Sequence, residues 1–374
     1  MNFLDIISAG LPGIGAMILG LMFLILVHEF GHWIVARMFG FKTPVFSIGF
    51  GKREWSWVIG TFWETEFRLS PILLGGYVSI PELQDETTAK ELMKDNPEAQ
   101  NLKVFPVWQR MLVAVAGVVM NILTAFVIFA SLLFFIGQPE AQITGTNITG
   151  LSPQQITIAE DAGLKPGDKF VTIDGVKIVT PQDLIDTLQN HKDQTVTVVV
   201  DRNGQNQSFQ VTPNADGQIG INLGVDSVVN YHKQSFGDSV ANGAKQTVAQ
   251  LVGMFKGIGM MVGLVEPPPN LPDGATDVHG VVGIVQIGAG AFSQGAFAFL
   301  SIVALISLNL AVLNILPIPL LDGGHIMFYT IEAVRGKPVS MKTRALLSNI
   351  FFMLLIWLML YGLFNDITKP INIK

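Results

Sequence analysis

Four stretches of this chain run long without a charged side chain: residues 6–27, 111–139, 280–321 and 345–364. A helix needs about 20 apolar residues to cross a bilayer, and a segment that crosses must satisfy its own backbone hydrogen bonds. The four runs therefore predict a polytopic α-helical membrane protein with four transmembrane helices. The composition agrees, since 49% of the 374 residues are hydrophobic and 14% charged. The net charge is −6, with no basic block, so nucleic acid is excluded as a partner. There is no cysteine. That removes disulfides and thiolate metal sites, and leaves histidine and carboxylate as the side chains for any metal.

Lys and Arg near the span ends set the expected orientation. Arg37, Lys42, Lys103 and Arg110 flank the segment between the first two runs, and Arg335, Lys337, Lys342 and Arg344 crowd the segment between the last two. Both segments are expected in the cytoplasm, with residues 140–280 outside. The expected organisation is a first span at 1–40, with Pro12 in its first turn, then a β segment and cytoplasmic loop at 41–107. A second span follows at 108–138, a small β-rich domain at 139–228, and an amphipathic helix with a Pro-rich linker at 229–294. A third span at 295–325 precedes a cytoplasmic loop, fourth span and tail at 326–374.

Residues 44–80 are rich in Val, Ile, Phe and Trp, with Gly and Pro punctuation, and read as strands. Thr88–Lys94 reads as helix. In the 139–228 domain, Asp174-Gly175 and Asn203-Gly204 mark tight turns between strands. Thr180 and Pro181 start a helix with Leu184 and Leu188 on one face.

The first apolar run continues through "HEFGH" at 28–32. His28 and His32 are four residues apart and stack on one helix face, a spacing that lets two imidazoles hold one metal, with Glu29 beside them to handle the proton of a water. Ionisable side chains inside a span point to function. A catalytic zinc has three protein ligands and one open position. Asp322, in "NILPIPLLDGGH" (314–325), is the expected third ligand, with His325 as a competitor. Pro317 and Pro319 break the helix and Gly323-Gly324 permit a turn. Asn121 and Asn314 each need a partner in lipid: substrate backbone or a developing oxyanion, or, for Asn121, another helix.

With these residues in view, the chain resembles the site-2 proteases, zinc enzymes that cut peptide bonds within membranes, and above all their bacterial PDZ-containing branch that processes regulators of sigma factors. The resemblance runs through HEFGH, "LLGGYV" (73–78), residues 105–121, the 139–228 domain, "VVGIVQIGAGA" (281–291), "SLNLAVLNILPIPLLDGGHIMF" (307–328) and "LFND" (363–366). It implies a Zn2+ centre of His28, His32 and Asp322, with Glu29 as catalytic acid/base and Asn314 in the substrate-binding region. It implies a membrane-reentrant β element at 44–80 that presents substrate as an extended strand, so that Gly75, Gly76 and Pro317 join Asn121 and Asn314 as candidate substrate-binding residues. The 139–228 domain then becomes an extracytoplasmic PDZ-like domain that screens substrates. The family often has proline where Val118 stands here, in "GVVMN" (117–121).

The expected activity is that of a zinc metalloendopeptidase in the cytoplasmic (inner) membrane. Its partners are single-pass membrane proteins, such as anti-sigma factors or remnant signal peptides, first trimmed outside by a site-1 protease, and the lipid bilayer itself. Two rival classes are a catalytically silent PDZ scaffold and a metal or ion transporter. The intact HExxH and Asp322 oppose the first, and the absence of sequence repeats opposes the second.

Overall fold

The apolar runs, each about 20 residues or longer, fold as helices, which close their backbone hydrogen bonds within the segment. A computed structural model describes residues 3–83, 103–151, 156–268 and 280–368. Among these, four helices are long and apolar enough to cross a membrane: Gly10–Phe39 within α1 (Phe3–Phe39), α2 (Val107–Phe135), a helix at Ala296–Ile315 and another at Met341–Thr368. The protein is a multi-pass membrane protein. Pro12 does not open the first helix; it lies inside α1, which begins at Phe3. The helix Thr88–Lys94 expected from the sequence lies outside the described residues, as does the Pro-rich linker beyond residue 268.

The chain divides into two compact units, residues 1–135 with 234–374, and residues 136–233. In the first, four strands follow α1 directly: β1 (Val45–Phe50), β2 (Trp57–Phe62), β3 (Thr65–Leu69) and β4 (Ile72–Ser79). Their order is β2-β3-β1-β4, with β1 and β3 parallel and the other pairs antiparallel. The sheet is fastened to α1 by Trp33, whose indole N–H donates to Thr65 Oγ1 at 2.9 Å and whose ring stacks on Trp63. Among the described residues, β4 pairs with a strand, β1, along one edge only.

The second unit is a six-stranded sheet. Its strands are β5 (Gln138–Leu151), β6 (Lys169–Ile173), β7 (Val176–Lys177), β8 (Val196–Arg202), β9 (Gln205–Val211) and β10 (Ile221–His232), with short helices α3 (Ile158–Asp161) and α4 (Pro181–Asn190). Asp174-Gly175 and Asn203-Gly204 both take positive φ, as the expected tight turns require. Thr180 and Asp183 form a reciprocal capping box on α4, and Leu184 and Leu188 pack into a core with Ile148, Phe170, Ile173 and Val198. Arg202 reaches both oxygens of buried Asp168, each at 2.7 Å. The unit covers 136–233, where 139–228 is expected from the sequence.

Back in the first unit, α5 (Phe236–Met261) starts from a Ser235 cap and lays Gly243 against Ala130 of α2. The third apolar run divides where the third span is expected to start. It makes α6 (Val281–Ser293), breaks at Gly295 (φ 109°), and makes α7 (Ala296–Ile315). The expected third span, 295–325, stops at Ile315 because Pro317 and Pro319 have no N–H to continue the ladder. After Leu320 (φ 93°) a new helix, α8 (Asp322–Arg335), begins. Residues 326–335 are thus helix rather than loop. Gly336, left-handed, closes α8 before α9 (Met341–Thr368). Near the end of α9, Asp366 accepts from the N–H groups of Gly280 and Gly283 and so caps α6.

Candidate metal centre

His28 and His32 project from one face of α1, one turn apart, and both are buried. Their Nε2 atoms are 3.2 Å apart. Asp322 Oδ2 stands 3.1 Å from the first and 3.4 Å from the second. Donors about 2.0–2.1 Å from a tetrahedral zinc lie about 3.3 Å from one another. The three atoms therefore already have the spacing of three corners of a zinc tetrahedron. Asp322 Oδ2 is buried and makes no hydrogen bond. Converging lone pairs with no proton between them are what a cation site leaves behind, so the donor set fits zinc.

The surrounding atoms hold the rings in the matching tautomer. His32 Nδ1 lies 2.7 Å from the Val113 carbonyl, which accepts only a proton, so Nδ1 carries it and Nε2 is free. His28 Nδ1 meets the Asn121 amide at 3.1 Å, while Asn121 Oδ1 is buried without a partner. The two ends of an amide are sterically alike. With Oδ1 turned to the ring, Asn121 accepts the Nδ1 proton, and His28 Nε2 is free. Ser307 donates to the Asn121 carbonyl at 2.8 Å and ties α7 to this point. Asp322 is the first residue of α8, where the helix dipole favours a carboxylate. Gly323 and Gly324 do not make a left-handed turn. They let the first turn of α8 lie on the 315–319 backbone, which any Cβ there would strike.

Two further glycines clear the space. A Cβ on Gly31 would sit 2.6 Å from the Ala116 carbonyl, and one on Gly117 would lie against both His28 Nε2 and His32 Nε2. Gly117 thus keeps the donors uncovered.

Glu29 accepts a hydrogen bond from the backbone N–H of Val78 in β4 at 3.0 Å. It opens on a cavity of about 150 Å³ lined also by His32, Asp322, Tyr77, Val78, Ala114, His325 and Tyr329, with Ile80 and Leu83 at its side. The structure brings His28, Glu29, His32 and Asp322 together. Among the expected substrate-binding residues, Asn314 has its amide 3.3 Å from His28 Nε2. Asn121 is wholly buried behind His28, not facing the cavity. Gly76 packs on Ile25 and Glu29, Gly75 sits under the Phe50 ring at φ 155°, and Pro317 is in the exposed loop between α7 and α8. Tyr77, Val78 and Gly117 are the residues that sequence reasoning missed. Val78 belongs to the "LLGGYV" stretch, but nothing in its own side chain marks it.

Residues 16–358 match the model of peptidase family M50. The chain belongs to peptidase family M50, the site-2 protease family. It is similar to proteins named "Putative zinc metalloprotease" in several bacteria. The relative from a Nostoc species is 32% identical over 361 residues, covering 95% of each chain. That from Agrobacterium fabrum is 31% identical over 375 residues, again 95% of each. That from Clostridium perfringens is 33% identical over 355 residues, 93% of this chain and 96% of its own. This M50 peptidase is a zinc metalloprotease, and its cofactor is Zn2+.

Proposed function

We propose that this M50 peptidase cuts peptide bonds within or near the transmembrane segments of single-pass membrane proteins in the cytoplasmic membrane. His28, His32 and Asp322 hold the zinc. When bound, zinc supplies an acidified water, its pKa lowered to about 7, and a polarised carbonyl. Glu29 takes the water proton and returns it to the leaving amine. Asn314, beside His28, donates to the substrate carbonyl as it gains negative charge.

A helical substrate hides its carbonyls in its own hydrogen bonds. It must be unwound before it can be cut. The observation that carries the reading is the Glu29–Val78 hydrogen bond, because it joins the proposed base to the open edge of β4. A substrate segment added along that edge lies extended beside Glu29, held through its backbone with little demand on sequence. Gly75 lets the Phe50 ring lie against β4, and Gly76 lets Ile25 and Glu29 of α1 approach it.

The distribution of Lys and Arg supports residues 136–233 outside and residues 40–107 and 323–344 in the cytoplasm. The outer unit, a β sheet with one capped helix, has the make-up of a PDZ-like domain. It screens for substrates already trimmed outside by another protease, anti-sigma factors and remnant signal peptides among them. The test uses the full chain in liposomes with a single-span reporter. Wild type cleaves it, and Glu29→Gln binds zinc but does not cleave. Cleavage by Glu29→Gln at the wild-type rate overturns the reading. Zinc flux with no cleavage by the wild type favours a transporter, and reporter binding with no cleavage favours a scaffold.

A further inference from the structure

The cavity beside Glu29 is lined by residues of two elements besides α1 and α2. One is β4, through Tyr77 and Val78. The other is α8, through Asp322, His325 and Tyr329. These three are at i, i+3 and i+7, one face of a helix. Asp322 is used at the metal centre, and Tyr329 lies under the Arg110 guanidinium, 4.9 Å from ring centre to cation. Arg110 in turn holds Glu332 through two hydrogen bonds at 3.1 and 2.6 Å, which fastens α8 to α2. His325 has no such duty. Among the described residues no group hydrogen-bonds its ring, and its ring neighbour is Tyr329 at 6.2 Å.

An extended strand carries N–H and C=O groups along both of its edges. A substrate strand on β4 would have one edge satisfied by β4. The other edge would face α8. In a dry site an unpaired backbone group costs several kcal/mol, so that second edge needs partners of its own. The metal centre takes the scissile carbonyl. His325, on the α8 side of the cavity and one helical turn from Asp322, is the free polar group nearest in sequence to the metal ligand and suits a neighbouring one; Tyr329 Oη, also without a partner, lies one turn further along.

We infer that His325 is a substrate-binding residue that donates a ring N–H to one backbone carbonyl of the substrate, on the strand edge turned away from β4. The imidazole keeps at least one N–H whatever its charge, so the contact needs no titration. The inference rests on the strand-addition reading above, and adds that the substrate is gripped along both edges. Backbone is what is gripped, so selection falls on how readily a segment unwinds rather than on which side chains it carries.

The experiment uses the full-length protein in liposomes and a set of single-span peptides. Each peptide has one backbone amide replaced by an ester, which deletes one N–H and weakens the preceding carbonyl as acceptor. His325→Leu should retain zinc and lose about 10- to 100-fold in kcat/KM, the range of one buried hydrogen bond. His325→Gln, which keeps a donor, should recover most of that loss. Each peptide unit of a strand points its C=O to one edge and its N–H to the other, so every ester touches both edges. In wild type, ester effects should alternate between larger and smaller along the strand. The ester whose weakened carbonyl meets His325 should slow wild type more than it slows His325→Leu, and every other ester should slow both enzymes alike.

Several results overturn the inference. Cleavage by His325→Leu at the wild-type rate would leave the residue without a role in binding. Zinc loss in both His325 variants would put the residue in the metal centre instead. Ester effects identical in the two enzymes at every position would leave His325 without a backbone partner. If the alternation remains while the His325-dependent position is missing, only His325 is misassigned. If no alternation appears in either enzyme, strand addition itself fails and takes this inference with it.

Discussion

Glu29 and Val78, 49 residues apart in sequence, meet in a single hydrogen bond of 3.0 Å between a carboxylate and a backbone N–H. In an antiparallel pair the N–H groups of alternate residues point to opposite sides. Since the Val78 N–H points to Glu29, it points away from β1. Val78→Pro therefore removes the Glu29 partner without removing a β1–β4 bond. Zinc content is expected to stay at the wild-type level while reporter cleavage falls about 10-fold or more, the range for a hydrogen bond to a charged group. Unchanged cleavage would mean that Glu29 is oriented by other contacts.

Gly117 gives a prediction about metal rather than chemistry. Its Cβ position coincides with the space in front of the two imidazole donors. Gly117→Ala should lower zinc affinity at least 10-fold, measured by chelator competition on the purified protein. Gly15→Ala, where a Cβ meets nothing within 4 Å, should leave zinc binding intact.

In the unit at 136–233, Asp168 is pushed up by burial, but the Arg202 guanidinium and the Lys165 N–H outweigh this and leave its carboxyl below the usual range. A carboxyl depressed in the folded state stabilises fully above its unfolded pKa of about 3.9, and the contribution fades as pH falls towards the folded value. Arg202→Met should make the β8 amides exchange faster than wild type at pH 7. The difference should narrow as pH drops below about 4. A difference that widens with acid would contradict the assignment.

The orientation can be read with single cysteines, because the chain has none. Lys192→Cys and Lys337→Cys are both at exposed positions. In intact cells an impermeant thiol reagent should reach the first and not the second. The reverse pattern would invert the topology.

How much of this was legible in the sequence depends on where each signal comes from. HEFGH is local: i, i+4 spacing on a helix sets the two imidazoles side by side whatever surrounds them. The Asn-Gly and Asp-Gly turns and the Thr180 cap are local too. Asp322 was legible as a ligand candidate from its company, yet not as the first residue of a new helix, because two prolines say where α7 ends and not where the chain restarts. The third span was expected from residue 295, and α7 does begin at Ala296; that residues 281–293 form a helix of their own was not legible. Asn121 was open between substrate and helix contact, and only the crossing of α2 behind His28 decides for the latter. Gly117 and Val78 act through an absent side chain and a backbone N–H, so their roles exist only once α1, α2 and β4 are brought together.

The central claim is that this zinc metalloprotease cuts inside the bilayer, beside Glu29. Its most direct test is mass spectrometry of the fragments that the liposome-reconstituted wild type makes from a single-span reporter, with Glu29→Gln as control. His28 lies about 11 residues, or about 17 Å of helix, from the Phe39 end of α1 and about 25 residues, or about 38 Å, from Phe3. The Phe39 end is the one the Lys and Arg residues put in the cytoplasm, so the cut should fall in the apolar segment nearer its cytoplasmic end. The account predicts one or two adjacent scissile bonds there and none with Glu29→Gln. Fragments that end only in the water-exposed flanks, or the same fragments from Glu29→Gln, would contradict it.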